Sequence, residues 1–411
     1  MHWSLVPALL WLSISAAQST SDVAPELLTL AKIKVRMQET LARQPNYTCT
    51  EQIERSRRRA PKGKYELLDM VRLEVALVDG KEMFAWPGSR KFEEQELSKL
   101  VPIGGAIGNG NFALFTRTVF LSRAPVFNYV GVVDLNGKPA IRYNYTVSEF
   151  ISGFHLRVNN IDAIVGFSGS FWVNPNTLDL MRLDVVAEKI PEAMGLSKSI
   201  TTMEYAPTRI GAADFLLPVG SELVMTHTNG DEDHNRMSFQ ACRQYTGDSV
   251  ITFSESPVDT TAPSLAPAVN LNTRTPIDVP AGLLADVTLD AAIDGDHSMV
   301  GDLVKVTLRQ PLKKGKEILF EKGATLTGRI LKLERHRDHC VLNLQFFEIE
   351  SDSKHADLTA TVQEAFLLAR SPGTTHLMPP PTVHPGDSDS LTIANARLHL
   401  ARGLHLRLIT R

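Results

Sequence analysis

The stretch FWVNPNTLDLMRLDV, Phe171–Val185, contains a strand, a turn and a second strand. Its centre, Asn174-Pro175-Asn176-Thr177, gathers residues that favour turns and disfavour a continuing helix or ladder. On either side, Ala163–Val173 and Leu178–Ala187 are rich in aromatic, β-branched and other apolar residues, in runs of strand length. The pattern repeats outward in both directions. Downstream, strands are expected at Thr201–Tyr205, Ser221–Thr228 and Asn235–Tyr245, after a short helix over Pro191–Leu196. Upstream they are expected at Tyr47–Glu54, Met70–Val78, Glu82–Trp86, Phe127–Val133, Ala140–Val147 and Phe154–Val158. The turns Asp79-Gly80 and Asn136-Gly137 punctuate this run.

Helices are few. Ala24–Arg43 places Leu27, Leu30, Ala31, Met37 and Leu41 near helical spacing, with Pro25 suited to a first turn and Pro45 just beyond the end. A second helix is expected over Phe92–Val101, stopped by Pro102. A flexible loop with Gly104, Gly105, Gly108 and Gly110 then leads to Asn111, which can cap a third helix carrying Phe112, Phe115 and Phe120. Five prolines between Ser254 and Pro280, with no periodicity, mark a linker over 254–278. A second β-rich unit over 279–411 follows, interrupted by a Pro-rich insert at 370–390. It ends on the alternation of Leu404, Leu406 and Leu408 against His405 and Arg407.

Composition bounds the function classes. The 411 residues are 43% hydrophobic and 22% charged, with a net charge of −3, which fits a globular chain and no nucleic-acid partner. Residues 1–17, MHWSLVPALLWLSISAA, read as a signal peptide: an apolar run followed by small residues suited to cleavage. No later segment is apolar and long enough to anchor the mature chain in a membrane, so an exported, periplasmic or outer-membrane-associated protein is expected. In an oxidising compartment Cys49 and Cys242 are natural disulfide partners because they bracket one candidate domain, 18–253. Cys340, in an apolar strand-like run, reads as a buried thiol outside the bridge; a catalytic cysteine beside His336 and His339 is the alternative.

No motif carries a recognisable chemistry. Gly105–Gly110 has neither phosphate-loop order nor a preceding strand. The loop His227-Thr-Asn-Gly-Asp231-Glu232-Asp233-His234 gathers metal-ligand residue types but no metal-site spacing, and reads as an acidic hairpin turn. His336-Arg-Asp-His339 reads as an exposed turn. The basic run Arg55-Ser-Arg57-Arg58-Arg59, with Lys62 and Lys64, reads as a solvated hairpin loop, with contact to anionic lipid headgroups as the alternative. No cofactor and no metal are implied.

The strand-turn-strand Phe171–Val185, with its W-V-N-P-N-T turn, resembles the bacterial lipoprotein-carrier family and its periplasmic sensor relatives, and Asn46–Cys49 (NYTC) with Cys242–Tyr245 (CRQY) is similar to a group of bacterial secreted proteins; the resemblance covers residues 24–253. That resemblance implies a half-open antiparallel β-barrel, capped by helices, whose apolar concave face holds acyl chains. Trp86, Phe112, Phe115 and Phe120 would then line the ligand cavity. Val279–Leu289 and Phe320–Ile330 resemble segments of small β-barrels in envelope and secretion proteins, modules that mediate assembly contacts. The expectation is a mainly β (α+β) chain: a helix-capped half-barrel followed by a small C-terminal barrel. Its expected role is non-covalent binding of a lipid, an acylated protein or another apolar ligand. The alternatives are an envelope assembly protein acting through protein contacts, with the half-barrel filled by its own side chains, and an envelope enzyme built around a pair such as His227 and Asp231.

Overall fold

The computed structural model describes residues 24–60, 63–89, 114–158, 161–245, 274–336, 338–366, 382–384, 390–393 and 398–411. The expected signal peptide, the helix over 92–101, the glycine loop, Phe112, residues 254–273 of the linker and most of the 370–390 insert lie outside them.

The N-terminal half is an eleven-stranded antiparallel sheet. Its strands are β1 (Tyr47–Arg58), β2 (Glu66–Val78), β3 (Lys81–Ala85), β4 (Val126–Leu135), β5 (Lys138–Val147), β6 (Phe154–Val158), β7 (Ile161–Val173), β8 (Leu180–Glu188), β9 (Leu196–Ile210), β10 (Ala213–His227) and β11 (Glu232–Gln244). They run in the order β3-β2-β1-β11-β10-β9-β8-β7-β5-β4, with β6 paired to β7. The sheet is open, with β3 and β4 as its edges, and forms a half-open barrel capped by helices. Helices α1 (Pro25–Arg43) and α2 (Leu114–Leu121) pack against it, and the short α3 (Glu149–Ser152) links β5 to β6.

Phe171–Val185 folds as its composition predicts. The Asn174 side chain accepts from the N–H groups of Asn176 (2.8 Å) and Thr177 (3.2 Å), closing the turn between β7 and β8. The period-2 alternation sends consecutive residues to opposite faces. Phe171 is fully buried among Phe120, Phe127, Tyr143 and Tyr145. Trp172 is sandwiched on the other face by the guanidinium groups of its cross-strand neighbours Arg142 and Arg182, 5.0 and 5.2 Å from its ring.

Close strand contact here depends on Gly169. A Cβ at this position would sit well inside contact distance of the Asp184 carbonyl oxygen, which already accepts a 2.7 Å hydrogen bond from the Tyr145 hydroxyl. Gly169→Ala is therefore expected to push β7 and β8 apart and destabilise the protein by about 3 kcal/mol, the upper end for overpacking. Denaturant titration against the parent reads the loss; an unchanged midpoint would contradict the close approach.

The C-terminal half contributes β12 (Thr275–Pro276), β13 (Leu284–Leu289), β14 (Ile293–Asp294), β15 (Leu303–Leu308), β16 (Leu312–Lys314), β17 (Glu317–Phe320), β18 (Thr325–Arg335), β19 (Cys340–Glu350), β20 (Lys354–Phe366), β21 (Thr382–His384), β22 (Ser390–Ile393), β23 (His399–Leu400) and β24 (His405–Thr410). Six of them close a barrel: β20-β24-β13-β15-β18-β19, with β19 pairing back to β20. Each sends apolar residues inward, among them Val287, Val306, Leu326, Leu344, Ala360 and Leu406, all buried. Closure leaves this ring without exposed edges. The last residues expected of the linker join it: Thr275–Pro276 pairs in parallel with Lys354–His355.

Candidate functional site

Helices α1 and α2 pack on each other, α1 against β10 and α2 against β5, and α2 carries two of the expected ligand-lining residues, Phe115 and Phe120. On α1, Ile33 and Met37 face the core and are buried. The Lys34 ammonium donates to the Ser122 carbonyl at 3.0 Å, tying α1 to the end of α2. The Tyr143 hydroxyl donates to the Glu26 carbonyl at 2.6 Å, and Arg36 pairs with Asp179 at 2.9 Å, so α1 is anchored at several places along its length.

On α2, Phe115 and Phe120 are 1% and 2% exposed. The Phe115 ring meets Phe154 and Phe167 edge-on, with centroids 5.1 and 5.5 Å apart; Phe120 meets Phe171 at 5.0 Å. Such edge-to-face pairs contribute about 0.5–1.5 kcal/mol each beyond burial. Phe115 and Phe120 thus share one aromatic core, whereas Trp86 meets Arg329 and Gly301 where the sheet meets the barrel.

At that junction Arg329 of β18 is 6% exposed. It donates to the carbonyl oxygens of Pro87 (2.8 Å) and Gly301 (2.7 Å), and lies over the rings of Trp86 and Phe347 at 5.6 Å each. Burial pushes its guanidinium down to about 10, with Asp302 acting in the opposite direction, so it stays charged at neutral pH. Backbone bonds reinforce the contact: Arg72 N–H to the Val300 carbonyl and Val300 N–H to the Met70 carbonyl, both 2.8 Å. Gly301, at φ +101°, lies where a Cβ would strike the Arg72 carbonyl and the Trp86 ring. Arg329→Ala strands two buried carbonyls, a loss of about 3 kcal/mol. A single thermal transition is expected to split in two as sheet and barrel uncouple; one unshifted transition would contradict this.

Within the basic run, Arg55, Arg57 and Arg58 lie on β1 rather than in a loop, and each is ion-paired, while Arg59 and Lys64 are exposed and Lys62 lies outside the described residues. Arg55 pairs with Asp69 of β2, both 2% exposed, and Arg57 makes a two-pronged contact with Asp233 of β11 at 2.6 and 3.2 Å. Arg58 pairs with Glu232, which also accepts from the Tyr65 hydroxyl at 2.7 Å. Glu232 and Asp233 of the His227–His234 segment are thus the partners of Arg58 and Arg57, and the β10–β11 hairpin is the expected turn. His227 meets Asp233 (3.0 Å) rather than Asp231, whose carboxylate accepts from the Ala60 N–H at 2.8 Å. That amide, together with the Asn229 side chain and the nearby Arg59 and His227, holds the Asp231 carboxyl below the usual carboxylate range. Among the described residues no group of three or more His, Cys, Asp or Glu side chains could hold a metal ion.

A buried polar cluster went unread in the sequence. Glu51 of β1 is 2% exposed between its cross-strand neighbours Leu73 and Phe239, and its Oε2 has no hydrogen-bond partner among the described residues. Glu82 of β3 acts electrostatically on Glu51, Tyr47 and Tyr205, and Tyr205 is hydrogen-bonded to Thr116 of α2. Burial first, and Glu82 second, push the Glu51 carboxyl up to about 8. A signal existed: Glu51 shares the inward face of β1 with Cys49 and Ile53.

The Cys49–Cys242 disulfide joins β1 to β11, and Cys340 is buried in the barrel outside it. No helix among the described residues is long and apolar enough to cross a membrane. No protein-family model and no curated protein matches the sequence. Two solved structures are similar in part. One is a domain assigned to an outer membrane lipoprotein-sorting protein from Vibrio parahaemolyticus, 11% identical, covering 54% of this chain and 95% of that one with a TM-score of 0.28. The other is a DUF1329 family protein from Desulfovibrio piger, 14% identical, covering 55% of this chain and 96% of that one, also with a TM-score of 0.28.

Proposed function

We propose that this chain is an exported envelope protein that acts through non-covalent contacts with other envelope proteins, its helix-capped sheet serving as a filled platform. The seating of Phe115 and Phe120 carries this reading: both rings are packed into the protein's own aromatic core, on the face where a carrier would hold an acyl chain. Export is supported by the character of residues 1–17 and by the disulfide, a cross-link that persists in oxidising compartments. The C-terminal barrel supports the same reading through its resemblance to assembly modules.

A second reading keeps an apolar ligand but moves it to the outer side of α1. Leu28, Ala31 and Val35 line a shallow groove of about 380 Å³ there, with Leu28 and Val35 half exposed. An acyl chain buried in such a groove would gain ~0.8 kcal/mol per CH₂.

Native mass spectrometry of protein purified from the envelope fraction separates the two. The first reading expects the polypeptide mass alone, with no uptake of phosphatidylglycerol offered in detergent. A reproducible lipid adduct lost in Val35→Lys would establish the second reading. An adduct retained there but lost in Phe120→Glu would return the ligand to the concave face and overturn the filled platform.

A further inference from the structure

Where the sheet meets the barrel, a groove of about 380 Å³ opens beside the Arg72–Asp302 ion pair, within the size range of small-molecule pockets. The sheet supplies Arg72 and Pro87 to its wall, and the barrel supplies the rest. Its lining is half polar and half apolar. Leu303, Ala291 and Ala292 form its exposed apolar wall, over the buried Leu289, Val304 and Ile330, while Arg72, Lys305 and Asp302 are the charged groups. Asp302 is already engaged: its carboxylate meets Arg72 Nη1 at 2.5 Å and accepts from the Met299 N–H at 2.9 Å. Lys305, on β15, is exposed and makes no ion pair with a described residue. The groove therefore holds two cations and one carboxylate, and that carboxylate is already bound to one of the cations.

We propose that this groove is a binding site for a small carboxylic acid with an apolar tail. The carboxylate would pair with Lys305 and the remaining N–H groups of Arg72, and the tail would lie along Leu303, Ala291 and Ala292. The uncompensated positive charge selects an anion over a cation or a neutral lipid. The apolar wall selects an acid that carries hydrocarbon over an inorganic anion. Because Arg72 and Pro87 come from the sheet, the site is complete only while sheet and barrel are docked. Ligand binding is thereby linked to the stability of the junction, and the ligand raises the unfolding midpoint with the logarithm of its concentration above the dissociation constant.

The site is separate from the concave face and from the groove on α1, so it stands or falls independently of the proposed function. Isothermal titration and thermal melts with octanoate, against 1-octanol at the same concentration, test it on the full chain. Saturable octanoate binding is expected, with a midpoint rise that 1-octanol does not produce. Lys305→Glu should weaken octanoate binding at least tenfold and Lys305→Gln by less. Both should melt like the parent without ligand, because Lys305 is a solvent-facing residue. Absence of saturable binding, equal binding of the alcohol, or octanoate affinity unchanged in Lys305→Glu would each overturn the proposal.

Discussion

Removing the Cys49–Cys242 bridge is expected to destabilise the folded chain by about 5 kcal/mol, by the chain-entropy argument applied to a closed loop of 193 residues. The reduced unfolded chain regains the freedom that the cross-link denies it, while the folded sheet loses no ladder pairing, because β1 and β11 are neighbours along their length. The bridge sits at a local irregularity. The β1–β11 register shifts between Thr48 and Thr50, and Ala241 on the opposing strand has φ +49°. This is the geometry of a bulge, with an extra residue on one strand. Cys49 is fully buried, so Cys49→Ala also leaves space in the core. Denaturant titration of the double variant Cys49→Ala/Cys242→Ala against the parent measures the loss. A shift below about 1 kcal/mol would show that the unfolded chain is already held together by other means. Non-reducing peptide mapping should recover Cys49 joined to Cys242 and leave Cys340 outside the bridge. Because Cys340 is buried and its thiol is pushed up by that burial, alkylation of the native protein should be slow.

The strand alternation was legible in the sequence because it is a local signal that the tertiary structure leaves intact, and the disulfide because Cys49 and Cys242 bracket one candidate domain while Cys340 lies in the second unit. Phe171 and Trp172 go to opposite faces, as period 2 requires, and Leu404, Leu406 and Leu408 are all buried at the end of the barrel. The lengths of β9 and β10 were not legible. Pro207 and Pro218 lie within strands where a proline is expected to stop the ladder. They are tolerated because β8 pairs with β9 only up to Glu204, and β11 with β10 only from Gly220. Beyond those points the hairpin continues as a ribbon paired only with itself, so each proline has a side that needs no hydrogen bond. The place of Arg55, Arg57 and Arg58 on a paired strand was not legible for a different reason. Their charges are matched by Asp69, Glu232 and Asp233, which are distant in sequence or lie in what reads as an idle turn. Ion pairing across strands has no sequence period, so only the register reveals it.

Glu51 is the element that inward patterning predicts least, and it should dominate how stability depends on pH. In the unfolded chain its carboxyl titrates near the ordinary 4.5; in the folded protein it is pushed up to about 8, mainly by burial and secondarily by Glu82. Between those values the native state keeps a proton that the unfolded state releases. The stabilisation is therefore fully present below about pH 4.5 and is lost as the pH rises through about 8. Across that window the loss amounts to about 5 kcal/mol at ~1.4 kcal/mol per unit. Glu51→Gln keeps the shape of the side chain and removes the titration. The free energy of unfolding of Glu51→Gln minus that of the parent should therefore rise steadily from pH 5 to about pH 8 and level off above it. Taking this difference cancels the histidines and the paired carboxylates, which are common to both proteins. The amide should bring a constant offset, because a buried amide with an unmet hydrogen bond costs about 1–3 kcal/mol at any pH. Parallel curves would mean that Glu51 is ionised throughout, held by a positive partner on the concave face. A rising difference would mean that a neutral acid sits between Leu73 and Phe239, and that alkaline conditions loosen the sheet on the face where α2 packs through Thr116 and Tyr205.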